Sequence, residues 1–128
     1  MTWTRYLLVA LGGAVGSAGR YWVSGLAPRI LGQAFPYGTL VVNVVGSFLI
    51  SLVMGVALNT TSIPVNLRLF LTTGIIGGFT TYSTFNYETL MLLQQRLWLT
   101  AGLNLVGTAL GCLIAGLLGL AVARLLVA

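Results

Sequence analysis

Residues 74–89 read GIIGGFTTYSTFNYET, a stretch that sets hydroxyls, aromatic rings and paired glycines side by side. Asn43, in GTLVVNVVGSF, adds an amide. Asn104, Thr108 and Cys112 recur at intervals of four, so they share one face of a helix. Tyr82 and Phe85 lie three apart and project from one side if helix runs through them, with Ser83 and Thr84 between. These groups offer N–H, O–H and ring-edge polarity, the positive ends of dipoles and of the ring quadrupole. Such groups solvate an anion, and they are too small and too few to suit a large organic one. The chain has no histidine, aspartate or lysine; Glu88 is its one acid, against six arginines. No metal cluster, phosphate loop or nucleophile with its base can be built from this set, which excludes ordinary enzymology. No carboxylate stands ready inside the first, second or fourth apolar stretch to bind a cation or carry a proton.

The elements that must position these groups follow from composition. With 58% hydrophobic and 5% charged residues and a mean hydropathy of +1.02, the chain reads as an all-α membrane protein. A bilayer core about 30 Å thick takes about 20 apolar residues per helix. Residues 30–67 and 97–123 carry no charge. Four spans are expected, at 4–27, 36–58, 65–94 and 97–126, forming a single transmembrane domain over 1–128 with short connections. The first stretch reads as a span rather than a cleaved leader. Trp3, Tyr6, Tyr21, Trp22, Tyr37 and Trp98 fall near expected span ends, as interfacial aromatics do. Cys112 lies inside a span and reads as a small apolar packing residue.

Four spans put Arg5, Arg68 and Arg124 on one side and Arg29 and Arg96, with Arg20 deeper, on the other. So even a division gives the positive-inside rule no firm instruction and favours insertion in both orientations, which would permit an antiparallel homodimer. The GxxxG pairs Gly12/Gly16 and Gly107/Gly111 permit close helix approach, within one subunit or between two. Gly74, Gly77 and Gly78 each weaken helix by roughly 1 kcal/mol relative to alanine. The third span is therefore expected to break near 74–84, and backbone carbonyls freed at that depth must find a partner such as a cation or water.

GTLVVNVVGSF (38–48) followed by TGIIGGFTTYSTFNYET (73–89), after a glycine-rich first helix containing Arg20, resembles the Fluc (CrcB-type) fluoride channels of bacteria over essentially the whole chain. The resemblance implies a dual-topology antiparallel homodimer in the bacterial cytoplasmic (inner) membrane. It implies two fluoride pores, passive export of fluoride that entered as neutral HF, and so fluoride resistance. It further implies a structural sodium ion at the dimer centre, held by the backbone carbonyls of Gly77 and Thr80 from both subunits. Asn43 would donate its amide to fluoride, and Arg20 would matter near the end of the first helix. The family's two pore phenylalanines fall on Tyr82 and Phe85, of which only Phe85 matches. Ser83 and Thr84 lie within the same motif, the polar track of the fourth helix falls on Thr108 and Cys112, and Glu88 matches a vestibule acid. Fluoride holds its water strongly, so a dry passage admits it only where several donors replace that water. A small multidrug transporter, also of four spans, needs an acid in the first span, where this chain has Arg20. An assembly subunit without transport would leave the polar row and the broken helix unexplained.

Overall fold

The protein is described by a computed structural model covering residues 2–128, all helix and connecting segments. Helix α1 is Thr2–Leu31 and α2 is Tyr37–Asn59. The third leg of the bundle is assembled from pieces: α3 (Val65–Leu69), a wide π-helical stretch (Phe70–Ile76), α4 (Gly77–Phe79), a non-helical step at 80–82, and α5 (Ser83–Gln94). Helix α6, Trp98–Val127, completes it.

Both α2 and α6 are long and apolar enough to cross a bilayer unaided, yet only 22% and 17% of their most apolar windows are buried inside the protein. A helix of such composition with most of its surface turned outward has lipid as its solvent. At about 1.5 Å per residue, the 30 residues of α1 also exceed the bilayer core in length. The helix runs past the expected end at residue 27, carrying Pro28 inside it, and stops at Gly32, whose φ of +96° suits a residue without a side chain. Tyr21 and Trp22 consequently lie well inside α1 rather than at its end, while Trp3, Tyr6 and Trp98 stand exposed close to helix termini.

Side chains join the ends of neighbouring legs. Arg5 Nε donates to Asn66 Oδ1 at 3.4 Å, joining the starts of α1 and α3. Arg124 shares a small cavity with Asn59 at the end of α2. At the opposite end, α5 closes on Arg96 with φ +60°. There Arg96 N–H donates to Leu93 O at 3.0 Å and Leu97 N–H to Leu92 O at 2.9 Å, a Schellman stop with arginine where glycine is usual.

Glycines set how closely the legs approach. The most extensive helix contact is between α2 and α6, and α1 lies along the π-helical stretch and α4. A Cβ added at Gly12 would stand 2.8 Å from Gly74 Cα, one at Gly16 would overlap the Ile75 carbonyl, and one at Gly78 would stand 2.7 Å from Gly13 O. The first GxxxG is thus used within the chain. The second is not a close contact here: nothing lies within 4 Å of a Cβ at Gly107, and Gly111 only touches Val44 at ordinary distance. Helix α6 instead meets α2 through Gly119, whose Cβ would overlap Phe48 O.

The break falls inside the expected window but not at its glycines. Gly74, Gly77 and Gly78 all remain helical, and the chain leaves helix at the consecutive β-branched residues Thr80 and Thr81. The weak helix propensity of Gly74 and Gly78 is outweighed by the close approach to α1 that they allow. Gly16→Ala is expected to cost about 1–3 kcal/mol by forcing α1 off the Ile75 backbone. Gly13→Ala, with nothing within 4 Å of the new Cβ, should leave thermal unfolding in detergent unchanged or raise it by the helix preference of alanine, up to about 1 kcal/mol; equal stability of the two variants would contradict this account.

Candidate functional site

The site is organised by the way the break is held. Thr80 turns extended (φ −84°, ψ 163°) at the end of α4, and its methyl group occupies the space a side chain on Gly46 of α2 would need. One turn earlier on α2, Asn43 faces the next residue. Its Nδ2 donates to Thr81 O at 2.9 Å, and its Oδ1 accepts from Thr81 N–H at 2.9 Å. The side-chain amide thereby replaces both backbone partners that Thr81 loses when the helix stops.

Other backbone groups at the break are redirected as a consequence. In a continuous helix the amides of Thr81 and Thr84 would donate to the carbonyls of Gly77 and Thr80. Here Thr81 N–H goes to Asn43, and Thr84 N–H goes to Thr81 Oγ1 at 3.2 Å. Gly77 O and Thr80 O are therefore released from their helical donors. Gly78 O receives Arg20 Nε–H at 3.1 Å, a cation at a helix C-terminus, where the backbone dipole is negative.

Below the break, α2, α5 and α6 enclose a cleft of about 560 Å³. Asn43, Thr80, Tyr82, Phe85, Thr108 and Cys112 all line it, together with Ser47 and apolar neighbours, and no charged residue does. Phe85 is buried, while Tyr82 is 76% exposed and lies edge-on to it, with ring centroids 5.6 Å apart at 70°. The resulting wall presents ring edges, an amide with one N–H left over after its bond to Thr81, a hydroxyl and a thiol.

Three of the expected pathway residues stand elsewhere. Arg20 is spent on Gly78 O and does not line the cleft. Ser83 is exposed and lines neither this cleft nor the cavity beside Glu88. Thr84 faces a second cavity, of about 760 Å³, shared with Thr39, Gln95 and Glu88. Among the described residues, Glu88 Oε1 is buried there and accepts no hydrogen bond. The acid is thus separate from the cleft.

The row on α6 holds as a row, though its members differ in role. Asn104 and Thr108 are buried and Cys112 is half-buried. Asn104 does not reach the cleft; it ties α6 to α5 by donating Nδ2–H to Thr89 Oγ1 at 2.9 Å. Thr89, Thr81 and Gly46 are the participants that residue types did not single out. The only signal for Gly46 was its place three residues after Asn43, on the same face of α2.

An all-α bundle that turns apolar faces outward and meets the polar groups of an interrupted helix with its own side chains defines a small polytopic membrane protein. The chain belongs to the CrcB family: residues 7–120 match the family described as CrcB-like protein, Camphor Resistance (CrcB). Among its relatives are three proteins named fluoride-specific ion channel FluC. That of Anaeromyxobacter sp. (strain K) is 53% identical over 111 residues, 87% of this chain and 88% of the relative. That of Geobacter metallireducens (strain ATCC 53774 / DSM 7210 / GS-15) is 49% identical over 116 residues, 91% and 94% of the two chains. That of Sorangium cellulosum (strain So ce56) is 46% identical over 124 residues, 97% and 98% of the two.

Replacing Asn43 by leucine removes both the donor to Thr81 O and the acceptor for Thr81 N–H. A loss of at least about 1–3 kcal/mol is expected, the cost of leaving a backbone group without its partner inside the protein. Denaturant unfolding in detergent measures it, and a variant as stable as the parent would show that the break does not depend on this pair.

Proposed function

We propose that the protein is a fluoride channel, exporting fluoride passively across the bacterial cytoplasmic (inner) membrane and so conferring fluoride resistance. The observation that carries this reading is the cleft itself: ring edges of Phe85 and Tyr82, the spare Asn43 N–H, Thr108 and Cys112 converge without a single carboxylate. Donors arranged in a largely apolar wall can replace the water of a small, strongly hydrated anion, and the cleft holds no carboxylate that would favour a cation. The names of the relatives support the same anion. Chloride is larger and fits such a passage poorly. Tyr82 and Cys112 modify the route without changing its sign, since the tyrosine keeps its ring edge and the thiol is a weaker donor than a hydroxyl.

The functional unit we propose is an antiparallel homodimer of subunits inserted in opposite orientations, each a single domain of four spans, with α1 and the interrupted third leg joining α2 and α6 as crossings. The arginine division, Arg5, Arg68 and Arg124 against Arg29, Arg96 and the deeper Arg20, supports dual insertion. So does the supply of exposed apolar surface on α1 and α6. Two pores would follow, one cleft from each subunit.

A sodium ion fits the break. Gly77 O and Thr80 O are released from their helical donors, and neutral carbonyl oxygens are the ligands a hard monovalent cation takes, as in carbonyl-lined filters. Paired across a dimer axis, the two carbonyls of each subunit would make a four-oxygen set. When bound, sodium would supply positive charge that ties the two breaks together. The chain's own groups, Asn43 and Arg20, hold the neighbouring carbonyls so that these two remain available.

Fluoride efflux from liposomes, read with an electrode and with valinomycin carrying potassium for charge balance, tests the function. Fast valinomycin-dependent release of fluoride with chloride retained is expected. Phe85→Ile should slow it by about tenfold, the equivalent of one lost solvating contact. Rapid chloride release, or no fluoride release from folded dimer, would overturn the reading. For sodium, the melting temperature of the detergent-purified protein should rise with sodium chloride in a saturable manner. N-methylglucamine chloride at equal ionic strength should not raise it, and equal effects of the two salts would remove sodium from the break.

A further inference from the structure

Behind the cleft, three side chains form a hydrogen-bond chain whose direction is determined. Thr89 and Asn104 are 4% and 1% exposed. Thr89 Oγ1 donates to Phe85 O at 2.8 Å, Asn104 Nδ2 donates to Thr89 Oγ1 at 2.9 Å, and Thr108 Oγ1 donates to Asn104 Oδ1 at 3.4 Å. A hydroxyl has one proton to give. That of Thr89 is spent on Phe85 O, so Thr89 shows Asn104 only a lone pair. The amide must then turn its NH2 toward Thr89 and its oxygen toward Thr108. Thr108, on the cleft wall, consequently donates inward and turns its lone pairs to the cleft. That is the wrong polarity for an anion, and it is set by a residue that never touches the cleft.

We infer that Thr89 and Asn104 are positioning residues that hold the Thr108 hydroxyl proton away from the cleft until an anion draws it out. The Thr108–Asn104 link is the one that yields: at 3.4 Å it is longer than the roughly 2.5–3.0 Å usual for O–H···O bonds, whereas the other two links are of ordinary length. Rotation about one bond carries the proton from Asn104 Oδ1 to the anion, and no other group in the chain has to move. Each entry of an anion thereby competes with an internal acceptor, which weakens binding at this point and favours departure as much as entry. The inference rests on the proposed fluoride conduction and adds to it a setting for affinity.

The test is the fluoride-concentration dependence of flux in liposomes for the wild type, Thr89→Val, Thr89→Ser, Thr108→Val and the Thr89→Val/Thr108→Val pair. Valine at 89 keeps the shape and removes the acceptor. The Asn104 amide can then turn over and donate to Thr108 Oγ1, leaving the Thr108 proton directed at the cleft. The half-saturating fluoride concentration should fall by about threefold to tenfold, the scale of one neutral hydrogen bond. Thr89→Ser, which keeps the hydroxyl, should restore the wild-type value. In the Thr108→Val background the change at 89 should have no effect, because the group it acts through is gone. An unchanged half-saturation in Thr89→Val, or an equal shift with Thr108 absent, overturns the inference. A second measurement needs neither flux nor a folded valine variant. Side-chain amide resonances of 15N-asparagine-labelled wild type, with Asn104 assigned by its loss in Asn104→Asp, should show one slowly exchanging proton; rapid exchange of both overturns the chain. Folded wild type that passes no fluoride refutes the proposed function and leaves the amide measurement to decide the hydrogen-bond chain separately.

Discussion

The two hydrogen bonds between the Asn43 side chain and the Thr81 backbone are what permit a helix to stop at this depth of the bundle. Bulk water would meet the released peptide groups of a soluble protein, but within a bilayer the protein, a bound ion or an enclosed water must do so. One side-chain amide carries both a donor and an acceptor, so it completes a peptide group as another peptide would. With Thr81 held by α2, the chain bends at 80–82 and restarts as α5 in the direction that places Phe85 on the cleft. The carbonyls of Gly77 and Thr80 are released by the same exchange, and Gly78 O is met by Arg20 from the opposite side. Cleft, cap and carbonyl set all follow from one displaced helical step.

That exchange demands proximity, and glycine provides it. Gly46 lets Thr80 sit against α2, while Gly12, Gly16, Gly74 and Gly78 bring α1 to the backbone of the third leg. In lipid there is no hydrophobic gain from pressing two apolar helices together, so close van der Waals contact and interhelical hydrogen bonds must hold them. Small residues supply the first and Arg20 and Asn43 the second. The glycines thus serve contact more than flexibility, which is why the stretch containing Gly74, Gly77 and Gly78 stays helical although each disfavours helix.

The polar groups are divided between two compartments. The cleft receives donors and ring edges, and the cavity near the ends of α1 and α5 receives Glu88, Thr39 and Thr84. This division keeps the one negative side chain off the proposed anion route. On α6 the polar row is layered: Thr108 and Cys112 reach the cleft, while Asn104 sits behind them and faces Thr89. A residue can therefore govern the polarity of the route without lining it, through the single proton that each hydroxyl has to give.

The class of the protein, its apolar stretches and the alignment of Asn104, Thr108 and Cys112 on one face were all legible in the sequence. Composition and helical period are local properties, and a chain whose solvent is lipid shows them plainly. The want of a carboxylate in the cleft was legible too, because the chain's one acid is Glu88. What only the tertiary structure decided is which groups meet: Asn43 with Thr81, 38 residues away, Arg20 with Gly78, 58 away, and Asn104 with Thr89 across a turn. It also placed the break at Thr80 rather than among the glycines, and turned the first GxxxG inward while leaving Gly107 without a neighbour. Local propensity ranks the places where a helix can break or touch. The choice among them belongs to partners distant in the chain, because a peptide group released inside lipid is stable only where one of them can complete it.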